Sequence, residues 1–118
     1  MKKILLFIVA AFVLASCGWS NKDIINPDAD YVYFYGATCP HCVELNKQIK
    51  DAGILEELSI EKREVYYNQD NQKKFQEVVD ELGLPSWEAG VPFVLEKSTG
   101  THVVGTDGAF EMLSGSLK

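Results

Sequence analysis

Residues 31–42 read YVYFYGATCPHC, in which an apolar run at 31–35 leads to two cysteines, Cys39 and Cys42. The run has no alternation of polar and apolar side chains, which is typical of a central strand buried on both faces. The cysteines are two residues apart and lie where such a strand would lead into a helix. The stretch therefore predicts a strand-to-helix junction that carries a dithiol able to open and close a disulfide.

The position of this dithiol explains its expected reactivity. Unpaired N–H groups and a partial positive charge at a helix N-terminus favour a thiolate over a thiol. Pro40 suits the first helical turn, where its missing N–H costs no hydrogen bond, and Thr38 or Cys39 can serve as the N-cap residue. His41, when protonated, adds positive charge close to the sulfur and stabilises the thiolate further. We predict that Pro40 and His41 belong to the catalytic site together with the two cysteines.

The two cysteines are expected to have different roles. Cys39 is the predicted nucleophile, because it lies at the helix start with its sulfur expected to be exposed. Cys42 lies one turn into the helix, on its buried stripe, and is predicted to attack the mixed disulfide on Cys39 and release the partner.

A C-x-x-C pair also occurs as half of a zinc site. That alternative needs two further ligands, and the mature chain offers only His41 and His102. We therefore favour a redox dithiol over a metal site and predict no metal ligands.

Hydrophobic spacing beyond the dithiol predicts a helix and then a strand. One helical stripe of apolar side chains follows the junction and stops near Gly53: Cys42, Leu45, Ile49 and Ala52. The blurred pattern at 61–67 predicts an edge strand, which the charges of Lys62 and Glu64 would protect from pairing with other chains.

The remainder of the chain predicts one more helix and a hairpin. The helix opens at Asp70 or Asn71 and ends at Gly83. Two apolar runs at 91–95 and 101–104 are separated by turn residues and predict a β-hairpin. A short final helix follows the hairpin.

A strand, the tetrad CPHC, a helix and, much later, the sequence GVPF at 90–93 together resemble the thioredoxin superfamily. The tetrad itself is similar to that of DsbA-type thiol oxidases, whereas the short chain is closer in size to glutaredoxins. The resemblance covers residues 30–118 and implies an α/β fold, the thioredoxin-like three-layer sandwich. Its minimal β-α-β-α-β-β-α core contains a mixed four-stranded sheet. The activity implied is thiol–disulfide exchange.

The resemblance also implies residues that bind the substrate. Val91-Pro92 matches the cis-proline position of the superfamily, opposite the dithiol, where the backbone of Val91 is free to pair with an extended peptide. The alternative is an ordinary proline on an edge strand. Trp87 lies in the loop that leads into this segment, so we include it among the predicted substrate-binding residues.

Two departures from the family pattern concern proton transfer and glutathione. Many thioredoxins and DsbA-like proteins carry an acid where this chain has Tyr33, so proton transfer from Cys42 must use water or another group. Glutaredoxins hold glutathione partly through a Gly-Gly-x-Asp-like segment, which Gly105 and Asp107 match by half. Asp107 is therefore a candidate glutathione contact. Alternatively, Asp107 or Thr106 is only the N-cap of the short final helix.

The N-terminus carries a targeting signal. Basic residues at 2–3 precede an apolar run at 4–15, which is too short to span a bilayer and is typical of a signal peptide. The sequence LASC at 14–17 resembles the bacterial lipobox, in which Cys17 becomes the lipidated first residue. Ordinary cleavage before Cys17 or a retained anchor is the alternative. We predict a signal peptide at 1–16, a lipidated Cys17 with a short tether at 17–30, and a thioredoxin-like domain at 31–118. Within the tether, Ile24 and Ile25 either form a small added strand or simply pack on the domain, and the sequence does not decide between the two.

This division accounts for all three cysteines and places the protein outside the cytoplasm, where disulfides persist. Removal of residues 1–16 leaves nine basic against 17 acidic residues, a net charge of −8. Such a charge argues against nucleic acid and against adhesion to anionic lipid, so the acyl chains would hold the protein to the membrane.

We interpret the chain as a membrane-anchored extracytoplasmic thiol–disulfide oxidoreductase that oxidises or isomerises exported proteins. The positive charge of His41 favours this direction, because a stabilised thiolate makes the disulfide a stronger oxidant. The expected partners are cysteine-containing exported proteins and a redox partner that resets the dithiol; we expect a monomer and no cofactor beyond the disulfide.

Two alternatives stay open. The first is a reductive thioredoxin or glutaredoxin-like electron donor that uses the same two cysteines. The second belongs to a different class, a carrier that binds Cu(I) through Cys39, Cys42 and His41, since soft thiolates suit Cu(I).

Overall fold

The computed structural model describes residues 23–117, which form a four-stranded sheet with helices on both faces. The strands are β1 (Tyr31–Tyr35), β2 (Ile60–Glu64), β3 (Phe93–Glu96) and β4 (His102–Val104). Their order in the sheet is β2-β1-β3-β4. β1 is parallel to β2 and antiparallel to β3, and β3 is antiparallel to β4. The mixed sheet and the edge position of β2 are confirmed.

Four α-helices cover the sheet: α1 (Pro40–Asp51), α2 (Ile54–Glu57), α3 (Gln69–Leu82) and α4 (Thr106–Gly115). Side chains of β1 alternate between two cores, because successive residues of a strand point to opposite faces. Tyr31, Tyr33 and Tyr35 pack with α1, α2 and α4. Val32 and Phe34 pack with α3 on the other face. This arrangement confirms the three-layer sandwich.

The helix ends follow from their caps. The N-cap of α3 is Asn68, whose side chain accepts the N–H of Asn71, so this helix begins before the predicted start at Asp70 or Asn71. Gly83 ends α3 in the left-handed conformation with φ 66°, as predicted, since glycine adopts that conformation without strain. Ala52, predicted on the buried stripe of α1, is exposed because α1 ends one residue earlier.

Residues 23–30, which the sequence assigned to the tether, pack on the domain. Ile24 pairs with Lys62 through two backbone hydrogen bonds of 3.0 and 2.8 Å. The carboxylate of Asp23 accepts hydrogen bonds from Tyr35 at 3.2 Å and from Asn71 at 2.7 Å. Residues 23–30 are therefore part of the folded domain. No helix within residues 23–117 is long and apolar enough to cross a membrane.

The predicted role of Lys62 as an exposed charge on the edge strand is wrong. Lys62 is only 5% exposed, because residues 23–25 cover the edge of β2 and its side chain extends over aromatic rings. Its Nζ lies 4.8 Å from the ring centroid of Tyr35 and 5.8 Å from that of Tyr33. Burial lowers the pKa of Lys62, and the carboxylate of Asp23 opposes this change.

Candidate functional site

The dithiol lies at the N-terminus of α1, as the sequence predicts. Cys39 is the N-cap residue, and its Sγ accepts the backbone N–H of Cys42 at 3.3 Å. Pro40 occupies the first turn, where no backbone hydrogen bond is lost. Both cysteines are free thiols in the structure. The predicted local geometry, a thiol directed at the unpaired N–H groups of a helix start, is therefore present.

Both thiols are buried, and for Cys39 this differs from the prediction. Cys42 is fully buried, as expected for its place on the inner stripe of α1. Cys39 is only 5% exposed, although its sulfur was predicted to be exposed. The reason is the packing of distant segments against it: the Cys39 Sγ lies 4.0 Å from the carbonyl oxygen of Val91, which is 52 positions away in the sequence.

The surroundings separate the pKa values of the two thiols. Burial opposes ionisation of Cys39, but hydrogen bonds from the thiol and N–H of Cys42, from the Tyr66 hydroxyl and from the backbone N–H of His41 outweigh it. The pKa of Cys39 is therefore lowered. Burial, together with the hydrogen bond to Cys39, raises the pKa of Cys42 to about 12. When the pair loses its first proton, the negative charge therefore lies on Cys39 and not on Cys42.

The Val91–Pro92 segment lies opposite the dithiol, and its peptide bond is cis, as predicted. Pro92 is fully buried, and its carbonyl oxygen accepts the N–H of Gly105 at 2.9 Å. The carbonyl of Val91 faces the Cys39 sulfur. The structure therefore brings together the two predicted motifs, CPHC and GVPF, whose residues Cys39 and Val91 are 52 positions apart in the sequence.

A cleft of about 480 Å³ adjoins this segment and contains the side chains of His41, Glu44, Pro92 and Asp107. The N-cap of α4 is Gly105, so neither of the predicted capping residues, Thr106 or Asp107, has that role. Thr106 instead donates a hydrogen bond to the carbonyl of His41 at 2.9 Å and joins α4 to the start of α1. Asp107 remains exposed in the first turn of α4, within this cleft.

Tyr33 does not replace the missing acid. It is fully buried, and its hydroxyl lies 3.5 Å from the carbonyl oxygen of Cys42. Burial, followed by the nearby cysteines, raises the pKa of Tyr33 far above its ordinary value. Tyr33 therefore keeps its proton at neutral pH and cannot act as a base toward Cys42.

Trp87 and His102 lie outside the dithiol site. Trp87 is 83% exposed on the 3-10 turn Ser86–Glu88 and is not among the residues lining the clefts on either side of Val91. Its substrate-binding role stays a prediction. The His102 ring stacks on Phe93 with centroids 5.3 Å apart, a structural contact. Within residues 23–117, no group of three or more His, Cys, Asp or Glu side chains could hold a metal ion.

The sequence interpretation missed Glu64 and Tyr66. Glu64 ends β2, and its carboxylate accepts backbone N–H groups of Ala37, Tyr66 and Tyr67, each at 2.9 Å. The predicted topology could have assigned both residues to the site, because the carboxyl ends of parallel strands meet at the edge where ligands bind in α/β folds. Since β1 and β2 are parallel, residues that follow β2 come close to residues that follow β1.

Known proteins resemble this chain both in its N-terminal signal and in its fold. Residues 1–17 match the family described as prokaryotic membrane lipoprotein lipid attachment site, which confirms the predicted lipoprotein signal. Cys17 itself lies outside the residues that the structure describes. No curated protein matches the chain.

Three solved glutaredoxin structures resemble this one. Wheat glutaredoxin is 24% identical, with 75% of this chain and 73% of that chain covered and a TM-score of 0.51. Glutaredoxin from Archaeoglobus fulgidus is 21% identical, with 75% and 88% covered and a TM-score of 0.52. A buckwheat glutaredoxin–glutathione complex is 18% identical, with 75% and 73% covered and a TM-score of 0.50. The protein has the thioredoxin-like fold. More particularly, it is a thioredoxin-fold chain that carries a prokaryotic lipoprotein attachment site.

The separated pKa values predict which thiol reacts at each pH. In the reduced full chain, iodoacetamide should alkylate Cys39 at pH 7 faster than a free cysteine, because the lowered pKa supplies more thiolate. Cys42 should stay unmodified until strongly alkaline pH, since its pKa is raised to about 12. Mass spectrometry of the alkylated peptides measures both rates. In urea the two cysteines should react alike, and equal rates in the folded protein would contradict the assignment.

Proposed function

We propose that this protein is a membrane-anchored extracytoplasmic thiol–disulfide oxidoreductase that oxidises or isomerises exported proteins through Cys39 and Cys42. The observation that carries the proposal is the asymmetric dithiol. Cys39, with a lowered pKa, caps α1, and Cys42, with a raised pKa, is fully buried behind it. One stabilised thiolate and one protected resolving thiol are a combination that favours thiol–disulfide exchange.

The exchange proceeds in two balanced steps. A client thiolate attacks the Cys39 sulfur of the Cys39–Cys42 disulfide, so that a client–Cys39 bond forms and Cys42 leaves and takes up a proton. A second client thiolate then attacks the client sulfur of this mixed disulfide, and Cys39 leaves as a thiolate. The client loses two electrons, which the dithiol receives.

The low pKa of Cys39 supports the oxidising direction. Stabilising the Cys39 thiolate stabilises the reduced protein, which makes the disulfide easier to reduce and therefore a stronger oxidant. An unidentified redox partner must then remove the electrons and restore the disulfide. The acidic charge of the chain favours neither nucleic acid nor anionic lipid as a partner, and the lipid on Cys17 would supply the attachment to the membrane.

Glutathione is a second candidate partner of the same site. The cleft beside the dithiol contains Asp107 together with Val91 and Pro92. A carboxylate at this place could hold the amino group of glutathione while its cysteine approaches Cys39. Use of glutathione would favour the reductive, glutaredoxin-like alternative.

His41 provides the test of direction. Its backbone N–H contacts Cys39, whereas its exposed side chain lines the cleft, so His41→Ala removes the imidazole and keeps the backbone contact. We expect the Cys39–Cys42 couple of the full chain, measured in detergent against glutathione buffers, to be more oxidising than about −200 mV. His41→Ala should make it more reducing, by roughly 30 mV for each 1.4 kcal/mol of lost stabilisation.

The matched control is His102→Ala, because His102 packs on Phe93 and not beside the dithiol. This variant should keep the wild-type potential. A wild-type potential near the thioredoxin value of about −270 mV, unchanged in His41→Ala, would refute the oxidising role and favour the reductive alternative.

A further inference from the structure

Two consecutive tyrosines, Tyr66 and Tyr67, follow β2 and lie beside the dithiol loop. Their rings meet edge to face with centroids 6.5 Å apart. The Tyr67 hydroxyl lies 3.2 Å from the hydroxyl of Thr38, on the surface of the loop. The Tyr66 ring lies against Gly36 of the same loop, and a hydrogen bond from its hydroxyl is among the causes that lower the pKa of Cys39. The two neighbours therefore have similar chemistry, but only one of them contacts the reacting sulfur.

The ring of Tyr66 is seated on Gly36. A Cβ placed on Gly36 would lie 2.6 Å from three atoms of this ring, closer than packed carbon atoms approach. The N–H of Gly36 also points at the Cys42 sulfur, 3.4 Å away. The absence of a side chain at Gly36 thus lets the phenol ring lie directly against the backbone that surrounds the dithiol.

Glu64 holds the segment of Tyr66 against the loop. One carboxylate oxygen accepts the N–H of Ala37 and the N–H of Tyr66, both at 2.9 Å. Burial opposes ionisation of Glu64, but its backbone N–H donors outweigh burial and lower its pKa. The carboxylate therefore stays ionised and joins the loop before Cys39 to the residue that contacts the Cys39 sulfur.

We propose that Tyr66 is a catalytic residue of the exchange reaction, with its hydroxyl donating a hydrogen bond to the Cys39 sulfur when that sulfur is a thiolate. Glu64 is a positioning residue for it. The proposal rests on the proposed function, and it assigns to a phenol part of the stabilisation that the sequence assigned to His41. Burial and the hydrogen bond with Cys39 raise the pKa of Tyr66, so it keeps its proton while it donates.

The hydrogen bond from Tyr66 to the Cys39 thiolate favours the second exchange step. There the bond between the client sulfur and Cys39 breaks, the client disulfide forms, and the electron pair stays on Cys39. The Tyr66 hydroxyl stabilises this leaving thiolate without transferring its proton. A hydrogen bond to a charged group changes such an equilibrium by about tenfold.

Other groups also face Cys39, and the test must separate them from Tyr66. Cys42 and His41 contact it from α1, Tyr33 acts on it from β1, and Glu64 lies at the end of β2 near Cys42 and Tyr66. Removing only the Tyr66 hydroxyl leaves all four of these groups in place.

The experiment compares Tyr66→Phe with Tyr67→Phe in the full chain in detergent. The rate of Cys39 alkylation by iodoacetamide, followed against pH, gives the pKa of the nucleophile. We expect Tyr66→Phe to lower the ionisation constant of Cys39 about tenfold, which is a pKa rise of about one unit, and Tyr67→Phe to leave it unchanged. Oxidation of a reduced client protein should slow in Tyr66→Phe alone.

Gly36→Ala provides a second, independent variant, because the added methyl group would displace the Tyr66 ring but keep its hydroxyl. It should raise the Cys39 pKa in the wild-type background and have little further effect in Tyr66→Phe, since the two changes remove one interaction. Equal Cys39 pKa values in wild type, Tyr66→Phe and Tyr67→Phe would overturn the assignment.

The alkylation measurement separates this assignment from the proposed function. If the wild type fails to oxidise any reduced client but Tyr66→Phe still raises the Cys39 pKa, the assignment of Tyr66 as a thiolate donor holds and the oxidising function fails. If the wild type oxidises clients and Tyr66→Phe matches it in both pKa and rate, the function holds and the assignment of Tyr66 fails.

Discussion

Cys42→Ser is expected to accumulate stable mixed disulfides between Cys39 and client proteins. The Cys39 thiolate can still attack a client disulfide and form a mixed disulfide, but Cys42, the internal thiol that would attack this bond and free Cys39, is gone, so the adduct persists until an external thiol resolves it. The structure supports this assignment because Cys42 is fully buried directly behind Cys39, with its N–H 3.3 Å from the Cys39 sulfur. Non-reducing gels of acid-quenched cell envelopes should show high-mass adducts that disappear on reduction.

Cys39→Ser is the matched variant and should give no adducts, because the remaining thiol is buried and its pKa is raised to about 12. Exchange activity should fall to the background rate in both variants. Equal trapping by Cys39→Ser and Cys42→Ser would contradict the assignment of Cys39 as the nucleophile and Cys42 as the resolving thiol.

Cys17→Ala is expected to release the protein from the membrane or leave its precursor unprocessed. Residues 1–17 match a lipoprotein attachment site, and the sulfur of Cys17 is the atom to which the lipid would be joined. More than one acyl chain is needed for stable anchoring, so loss of the lipid should remove nearly all membrane association. Fractionation followed by mass spectrometry of the N-terminal peptide measures the change.

Ser20→Ala is the control for this experiment, since it lies three residues beyond Cys17 and outside the attachment site. It should remain lipidated and bound to membranes. A wild-type protein that is found soluble, with an unmodified Cys17, would contradict the anchoring prediction.

The arrangement around Cys39 shows why local and tertiary features differ in predictability. Cys39 caps α1 through the N–H of Cys42, only three positions away, so a short motif was sufficient to predict it. The contact between Cys39 and Tyr66 depends on β1 and β2 being adjacent and on Gly36 leaving room for the ring. No periodicity or spacing in the sequence encodes that contact.

For Lys62, the local sequence pattern predicted the wrong environment, and the tertiary structure decided the actual one. Charge on a predicted edge strand indicated an exposed position, since edge strands are commonly protected by lysine. In the structure, Ile24 pairs with Lys62 and covers that edge, and Tyr35 lies under the ammonium group. A segment that the sequence assigned to the tether therefore decides the environment of a charge in the domain.

The sequence by itself determined the order of the strands and of all helices except the short α2 (Ile54–Glu57), the dithiol at a helix start, the proline segment and the lipoprotein signal. These features depend on residue types within one or two turns of each other, or on motifs that resemble a known family. Only the tertiary structure decided how far Cys39 is buried, that Lys62 is covered, and that Glu64 joins the loop of Ala37 to Tyr66. The physical reason is separation along the chain: the hydrogen bond from Ala37 to Glu64 spans 27 residues, and that from Asn71 to Asp23 spans 48.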